Sequence, residues 1–263
     1  MDASINCSVC GSDKIKKIVS LQGDKTIYAC KRCSNAFTFP NPIIPDYAAE
    51  DFQARDGDTD RLTLYNNLPE EIQESYEKQL SMVEGKLSKG ASILEIGGGE
   101  GIFLELLKQK GYDVELVEPS NTASLRAKKR ALNVHTDYIQ NITFNKTFSL
   151  ICMSHVLEHM ADPIDSIIRM KPLLAPRGFI LLAQTNFKGF MPLFLKQNWY
   201  AWVPDQHFSH FSLPGLRYIA DKTSMVVAEY KYSRLVHGPS IYHQALKYFP
   251  FLQDQIHILL QLK

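Results

Sequence analysis

The sequence has no apolar run approaching the roughly 20 residues needed to span a bilayer, and no apolar stretch behind a basic start at its N-terminus. Neither a membrane-spanning helix nor a secretory signal is expected, and the chain reads as cytoplasmic. Net charge is nearly absent: 29 Lys and Arg against 28 Asp and Glu leave +1 at pH 7. That argues against the broad basic footprint of a strong nucleic-acid binder. Cysteine is scarce, at five residues, and without a secretion signal these read as thiols or metal ligands rather than disulfides. Tryptophan is scarcer still, and both copies fall together at Trp199 and Trp202. The chain shows no internal repeat and no low-complexity tract.

What is present suffices for a sizeable core. The chain has 263 residues, 45% of them hydrophobic, enough for one large domain and a small one. Four of the five cysteines lie in the first forty residues, as Cys7-x-x-Cys10 and Cys30-x-x-Cys33. Two such knuckles at this spacing predict a tetrahedral four-cysteine zinc site, closed and structural. Ile15 to Leu21 and Lys25 to Ala29 suit the strands of a hairpin between them. So small a module has little core, and zinc would supply its folding energy. Pro40, Pro42 and Pro45 then bar a helix or central strand. The predicted organisation is a zinc-ribbon module over 1–45, a linker over 46–66, a large domain over 67–235 and a C-terminal segment over 236–263. The apolar tail would pack on the sheet, against a second copy in a homodimer, or at a membrane surface, the last disfavoured because no basic face accompanies it.

Within the large domain the pattern alternates strand and helix. A helix is predicted from Pro69 to Leu87. Strands follow at Ser92–Ile96, Val114–Val117, Val134–His135, Phe148–Met153 and Gly178–Gln184. Helices are predicted at Ile102–Lys110, Thr122–Leu132 and Pro163–Leu174. This order predicts a doubly wound, mostly parallel α/β sheet.

The loop Glu95-Ile96-Gly97-Gly98-Gly99-Glu100-Gly101 follows the first of these strands and opens a helix. A dinucleotide fingerprint counted from Gly97 would need glycine at position 102, which is Ile102. The loop fits acidic-x-G-x-G-x-G instead. Glu118, at the end of the next strand, can accept two hydrogen bonds from a ribose diol. Together these residues resemble motif I and its partner acid in class I S-adenosylmethionine methyltransferases. The resemblance implies a seven-stranded Rossmann-like sheet and S-adenosylmethionine as cofactor. It places Glu95, Gly97, Gly98, Gly99, Gly101 and Phe103 around the methionine and ribose portions, with Glu118 and Pro119 at the ribose. By the same resemblance Asp137 falls near the adenine amino group, Met153 and Ser154 at the end of the fourth strand, and Tyr76 on the preceding helix beside the cofactor.

His155-x-x-Glu158-His159 follows the fourth strand, where open α/β sheets bind ligands. The run is similar to one found in methyltransferases acting on small molecules, including sugars and ubiquinone precursors. One reading makes a histidine the general base that takes the acceptor's proton. Another gathers His155, Glu158 and His159 on a divalent metal, although ubiquinone-type relatives carry an acid where this chain has His155. A third makes Glu158 and His159 purely structural. Further on, Trp199 to Ser212 holds both tryptophans with His207 and His210. It resembles a substrate lid of sugar- and glycan-modifying methyltransferases, against the plain alternative of a packed aromatic connection. Ser212 reads as a helix N-cap, and Cys152 as a core residue.

Four-cysteine modules of this kind precede the catalytic domain in enzymes that methylate nucleotide-linked sugars. The resemblance therefore implies O-methylation of such a sugar, with C-methylation of a nucleotide-linked sugar as an alternative. C-methylating relatives carry a further C-terminal domain. Ribosomal RNA methylation is the alternative, drawn from Lys14, Lys16, Lys17, Lys25, Lys31 and Arg32. A non-catalytic cofactor-binding protein is another.

Overall fold

The computed structural model describes residues 5–43, 46–48, 64–234, 246 and 248–263. The elements are β1 (Ile15–Ser20), β2 (Thr26–Cys30), β3 (Ala36–Phe39), α1 (Glu70–Val83), β4 (Ser92–Ile96), α2 (Ile102–Gln109), β5 (Asp113–Val117), α3 (Asn121–Lys129), β6 (Asn133–His135), β7 (Phe148–Ser154), α4 (Pro163–Met170), β8 (Leu174–Thr185), α5 (Phe190–Leu195), β9 (Ser209–His210), α6 (Leu213–Lys222), β10 (Met225–Ser233) and β11 (Gln255–Leu262), with short 3-10 turns between several of them.

Seven strands form one sheet in the order β10-β11-β8-β7-β4-β5-β6. β4 through β8 run parallel, and β11 lies antiparallel to both β8 and β10. The central strands read as unbroken apolar runs because helices cover both faces. Ile93, Leu94, Leu150, Ile151, Leu181 and Leu182 are all fully buried. Asp162 caps α4 through its carboxylate to the Ile164 and Asp165 amides, with Pro163 in the first turn. Ser212 caps α6 by accepting from the Gly215 amide, as its position predicts.

The C-terminal segment does more than pack on the domain. β11 inserts between β8 and β10, pairing along both edges, with Ile256, Ile258, Leu259 and Leu260 fully buried. The seven-stranded sheet therefore extends past residue 235 to Leu262. Most of the expected linker, and the boundary near residue 45, lie outside the described residues. Its first described stretch, Asp46 to Ala48, lies against the large domain through Tyr47 to His159 and Asp46 to Tyr138.

The N-terminal module is a second sheet in the order β1-β2-β3-β9. Its fourth strand comes from the large domain. β9 pairs with β3, so the two parts share one ladder. The module also buries Ile27 and Ala36 against Trp199 and Trp202.

Candidate active site

The acidic-glycine loop sits at the C-terminal end of β4, where the sheet order reverses between β5 and β7. Two of its glycines are sterically required. Gly97 has φ +66°, and a Cβ there would lie 2.6 Å from Val156 Cγ2. Gly101 has φ +74°, and a Cβ would meet Leu132 Cδ1 at 2.4 Å. Only glycine adopts such backbone without strain. Arg130 fixes the loop from α3: its guanidinium holds Glu100 at 2.8 Å and Glu105 at 2.6 Å.

A cavity of about 400 Å³ lies on one side of Gly97, lined by Glu118, Pro119, Tyr138, Ile139, Tyr47 and His159 among others. A second, of about 300 Å³, lies on the other side against Glu95, Gly98, Gly99, Tyr76, Ser154 and Gln255. Gly97 and His155 line both. The two cavities are the halves of one cleft, and His155 stands at their seam.

Glu118 accepts from the Gly99 amide and the Ser120 amide, each at 2.9 Å, which leaves lone pairs facing the larger cavity. Burial raises its carboxyl. Glu95 is buried, and its Oε2 has no hydrogen-bond partner among the described residues. Burial, with the Glu118 charge adding to it, pushes the Glu95 carboxyl up to about 8. Tyr76 stacks on Phe103 at 5.4 Å. Phe103 supports the loop from beneath rather than lining the cleft, and Met153 is wholly within the core. Asp137 does not enter the cleft. It is exposed, and its Oδ1 accepts from its neighbour Tyr138 N and from Asn141 Nδ2. It makes an Asx-type bond to its own turn, and Tyr138, Ile139 and Gln140 line the cavity.

His155 occupies the left-handed region at φ +55°. Such strain in a non-glycine residue costs on the order of 1–3 kcal/mol and is concentrated at functional sites. A hydrogen-bonded chain fixes its ring. Buried His257 Nε2 meets Ser233 Oγ at 2.7 Å, and Ser233 donates to Gln255 Oε1 at 2.5 Å. The Gln255 amide then donates to His155 Nε2 at 2.7 Å. With Nε2 accepting, the proton is on Nδ1, which faces Glu158 Oε1 at 3.3 Å. Burial opposes the Glu158 charge, but the bond from His155 and the nearby imidazoles hold it down to about 2. Sequence reasoning missed Gln255, His257 and Tyr47. The polar Gln and His inside the apolar run of β11 were the available signal.

His159 and His207 stand edge to face at 4.7 Å. His207 Nδ1 donates to the Ala201 carbonyl at 3.1 Å, and burial pulls its imidazole down to about 4. His210 is fully buried and bonded to Thr38, away from the cleft, and burial holds it well below its usual range. Ligand atoms of Glu158, His159 and His207 lie within 4.8 Å of one another, a spacing that a divalent cation can bridge. His155 is not in that group, so the expected trio of His155, Glu158 and His159 is not the one assembled.

The four N-terminal cysteines also converge within 4.8 Å. Cys7 and Cys33 sulfurs are 3.7 Å apart, and Cys10 and Cys30 are 3.5 Å apart. Tetrahedral zinc with bonds of about 2.3 Å needs sulfurs roughly 3.8 Å apart, so the donor set fits. A hydrogen bond from the Cys33 thiol holds the Cys7 thiol below its ordinary value.

The methyltransferase domain family model matches residues 67–227. The chain belongs to that family. It is 29% identical over 116 residues to the ubiquinone biosynthesis O-methyltransferase of Haemophilus ducreyi, a match covering 39% of this chain and 49% of that protein. The chain thus spans about half the length of the curated relatives it matches. Among solved structures it is similar to a possible histamine N-methyltransferase of Thermotoga maritima (TM-score 0.54, 20% identity, 73% of this chain and 90% of that one). It is also similar to the magnesium protoporphyrin IX methyltransferase of Synechocystis with bound S-adenosylhomocysteine (TM-score 0.57, 12% identity, 73% and 84%). These likenesses are of fold. By family model the chain carries a methyltransferase domain, and its fold is that of solved S-adenosylmethionine-dependent methyltransferases.

The cleft suits that cofactor. The glycine cradle leaves room at Gly97, and Glu118 keeps acceptors for a diol. The orphaned Glu95 oxygen awaits a cationic partner. A proton linkage follows. An ordinary glutamate ionises near 4.5, and Glu95 near 8. Between those values the folded apo protein keeps a proton that the unfolded chain has lost, so its stability falls as pH rises through this window. A bound ammonium or sulfonium reverses the shift and expels the proton. Calorimetric titration with S-adenosylhomocysteine at pH 6.5 should therefore show proton release, read from the difference between phosphate and Tris buffers. Glu95→Gln should abolish that difference, and its persistence in the variant would remove Glu95 from the linkage.

Proposed function

We propose that this chain transfers a methyl group from S-adenosylmethionine to the hydroxyl of a small molecule, with His155 as the general base. The observation that carries the reading is His155 at the seam of the two cavities, its Nδ1 anchored on buried Glu158. The cofactor supplies an electrophilic methyl group on its sulfonium. His155 supplies the complementary function. Its Nε2 lone pair is held by the Gln255 amide, and an acceptor hydroxyl replacing that amide would deliver its proton to Nε2 during attack. Glu158 then faces an imidazolium and stabilises it, as a carboxylate behind a histidine does.

The acceptor we favour is a nucleotide-linked sugar. Support comes from the four-cysteine module and the His207-to-Ser212 run, both of which resemble features of sugar-modifying methyltransferases. We assign structural zinc to Cys7, Cys10, Cys30 and Cys33. A phenolic acceptor is the second reading, favoured by the ubiquinone-pathway relatives. Exposed Lys14, Lys16, Lys17, Lys31 and Arg32 on the module favour a third, ribosomal RNA. Among the described residues, no helix is long and apolar enough to cross a membrane.

The deciding experiment supplies labelled S-adenosylmethionine with three pools: nucleotide-sugars, catechol-type phenols and unmodified ribosomal RNA. Label in sugars supports the favoured acceptor. Label in phenols alone keeps the chemistry and changes the substrate. Label in RNA alone overturns the small-molecule reading. No label in any pool, with tight cofactor binding, would make the chain a binding protein.

A further inference from the structure

The four-cysteine module and the histidine segment are one structural unit, and the connection is short. The second knuckle closes with the Ser34 amide on the Cys30 carbonyl and the Cys30 amide on the Asn35 carbonyl. The next residues reach directly into the large domain. The Ser34 carbonyl accepts from Ser212 Oγ at 2.6 Å, the hydroxyl that also caps α6. Fully buried Asn35 donates to the Gly215 carbonyl at 3.2 Å.

Further along β3, Thr38 does most to fix the segment. Its amide donates to the Phe208 carbonyl at 3.1 Å. Its hydroxyl donates to the His207 carbonyl at 2.6 Å and, with that proton spent, accepts from His210 Nε2 at 3.1 Å. The Phe208 amide completes the path, donating to the Glu158 carbonyl at 2.8 Å. His207 thus hangs between Thr38 on the module and Glu158 on the turn that carries His155. The rest of the contact is apolar, with Ile27 and Ala36 packed on Trp199 and Trp202.

We propose that the four-cysteine module is a brace for the active site: the bound metal, through Ser34, Asn35 and Thr38, holds the His207 segment over the His155–Glu158 turn. The proposal rests on the reading of that turn as the reaction centre. Thr38 is then a positioning residue, 169 positions from the histidine backbone it holds. A small knuckle with little core of its own is rigid only while its metal is bound, and β9 is just two residues long, too short to stay paired without that support. The cofactor cleft draws on α1, on the ends of β4, β5 and β7 and on β11, and no residue of the module lines it.

Both tryptophans of the protein lie in this segment, nearly fully buried, so intrinsic fluorescence reports on it directly. The test measures tryptophan emission, bound zinc and S-adenosylhomocysteine affinity in the full chain, before and after chelation and in Thr38→Val and Thr38→Ser. Chelation is expected to red-shift the emission and raise acrylamide quenching, with cofactor affinity unchanged within about threefold. Thr38→Val, which keeps the shape and loses the hydroxyl bonds, should shift emission part-way with zinc retained. Thr38→Ser should behave as wild type. On an acceptor that turns over, Thr38→Val should lower kcat about tenfold with KM for the cofactor unchanged. If no acceptor is found, the reaction-centre reading fails, while fluorescence still decides the brace. Unchanged emission after full metal removal would overturn it. So would a protein that binds no zinc, or joint loss of emission and cofactor binding.

Discussion

Replacing His155 with alanine is expected to lower turnover by ~10²-fold or more while leaving S-adenosylhomocysteine affinity within a few-fold, the usual scale for removing a general base. The backbone complicates the variant, because His155 has φ +55° and alanine resists that conformation. His155→Asn is the cleaner probe: asparagine tolerates the left-handed region, fills similar space and has no basic nitrogen. Both variants losing turnover with the melting temperature preserved in the asparagine form would assign the loss to chemistry. Glu158→Gln tests the support. It keeps the side-chain shape and removes the charge that would face the imidazolium, so an intermediate loss of kcat is expected. Glu158 is held down to about 2, so it stays ionised throughout the working range, and any rise of kcat with pH above 4 belongs to another group. Wild-type turnover in His155→Asn would remove the histidine from the mechanism and move attention to His159, whose ring also lines the larger cavity.

The elements legible in the sequence are those whose signals are local. The strand-loop-helix at Ser92 to Gln109 carries its apolar strand, its glycines and its helix in eighteen consecutive residues. Glu118 is legible because strand spacing brings it opposite that loop, where it bonds Gly99. The four-cysteine cluster is legible because ligand spacing is itself the motif. What escaped depends on distant pairing. β11 is a mostly apolar run, and only its two neighbours in the sheet make it an inner strand. β9 has two residues and no propensity signal at all. It exists because β3 offers an open edge. The same holds for Gln255, which reaches His155 across 100 positions. Asp137 shows the opposite case: a short polar side chain in a turn bonds its own backbone. Thr38 carried a usable hint, a hydroxyl in the otherwise apolar Ala36-Phe37-Thr38-Phe39, since a buried hydroxyl needs a partner.

The cofactor loop gives the other large effect. Gly97→Ala is expected to weaken S-adenosylhomocysteine binding by ~10²-fold or more and to lower the melting temperature. Two costs combine. Alanine at φ +66° is strained by ~1–2 kcal/mol. Its Cβ would also sit 2.6 Å from Val156 Cγ2, and a close-packed neighbour yields only at ~1–3 kcal/mol. Val156 follows His155, so relief of the clash displaces the turn at the seam of the cleft, and with it both cavities that Gly97 lines. Gly111→Ala separates strain from collision. Gly111 has an even more positive φ of +88°, yet nothing lies within 4 Å of a Cβ there. That variant should lose stability by the backbone term alone and bind S-adenosylhomocysteine as wild type does. Calorimetric titration and thermal melts of the two variants side by side read the difference. Equal affinities in both would show that Val156 accommodates the methyl group and that the loop's glycines serve the turn rather than the ligand.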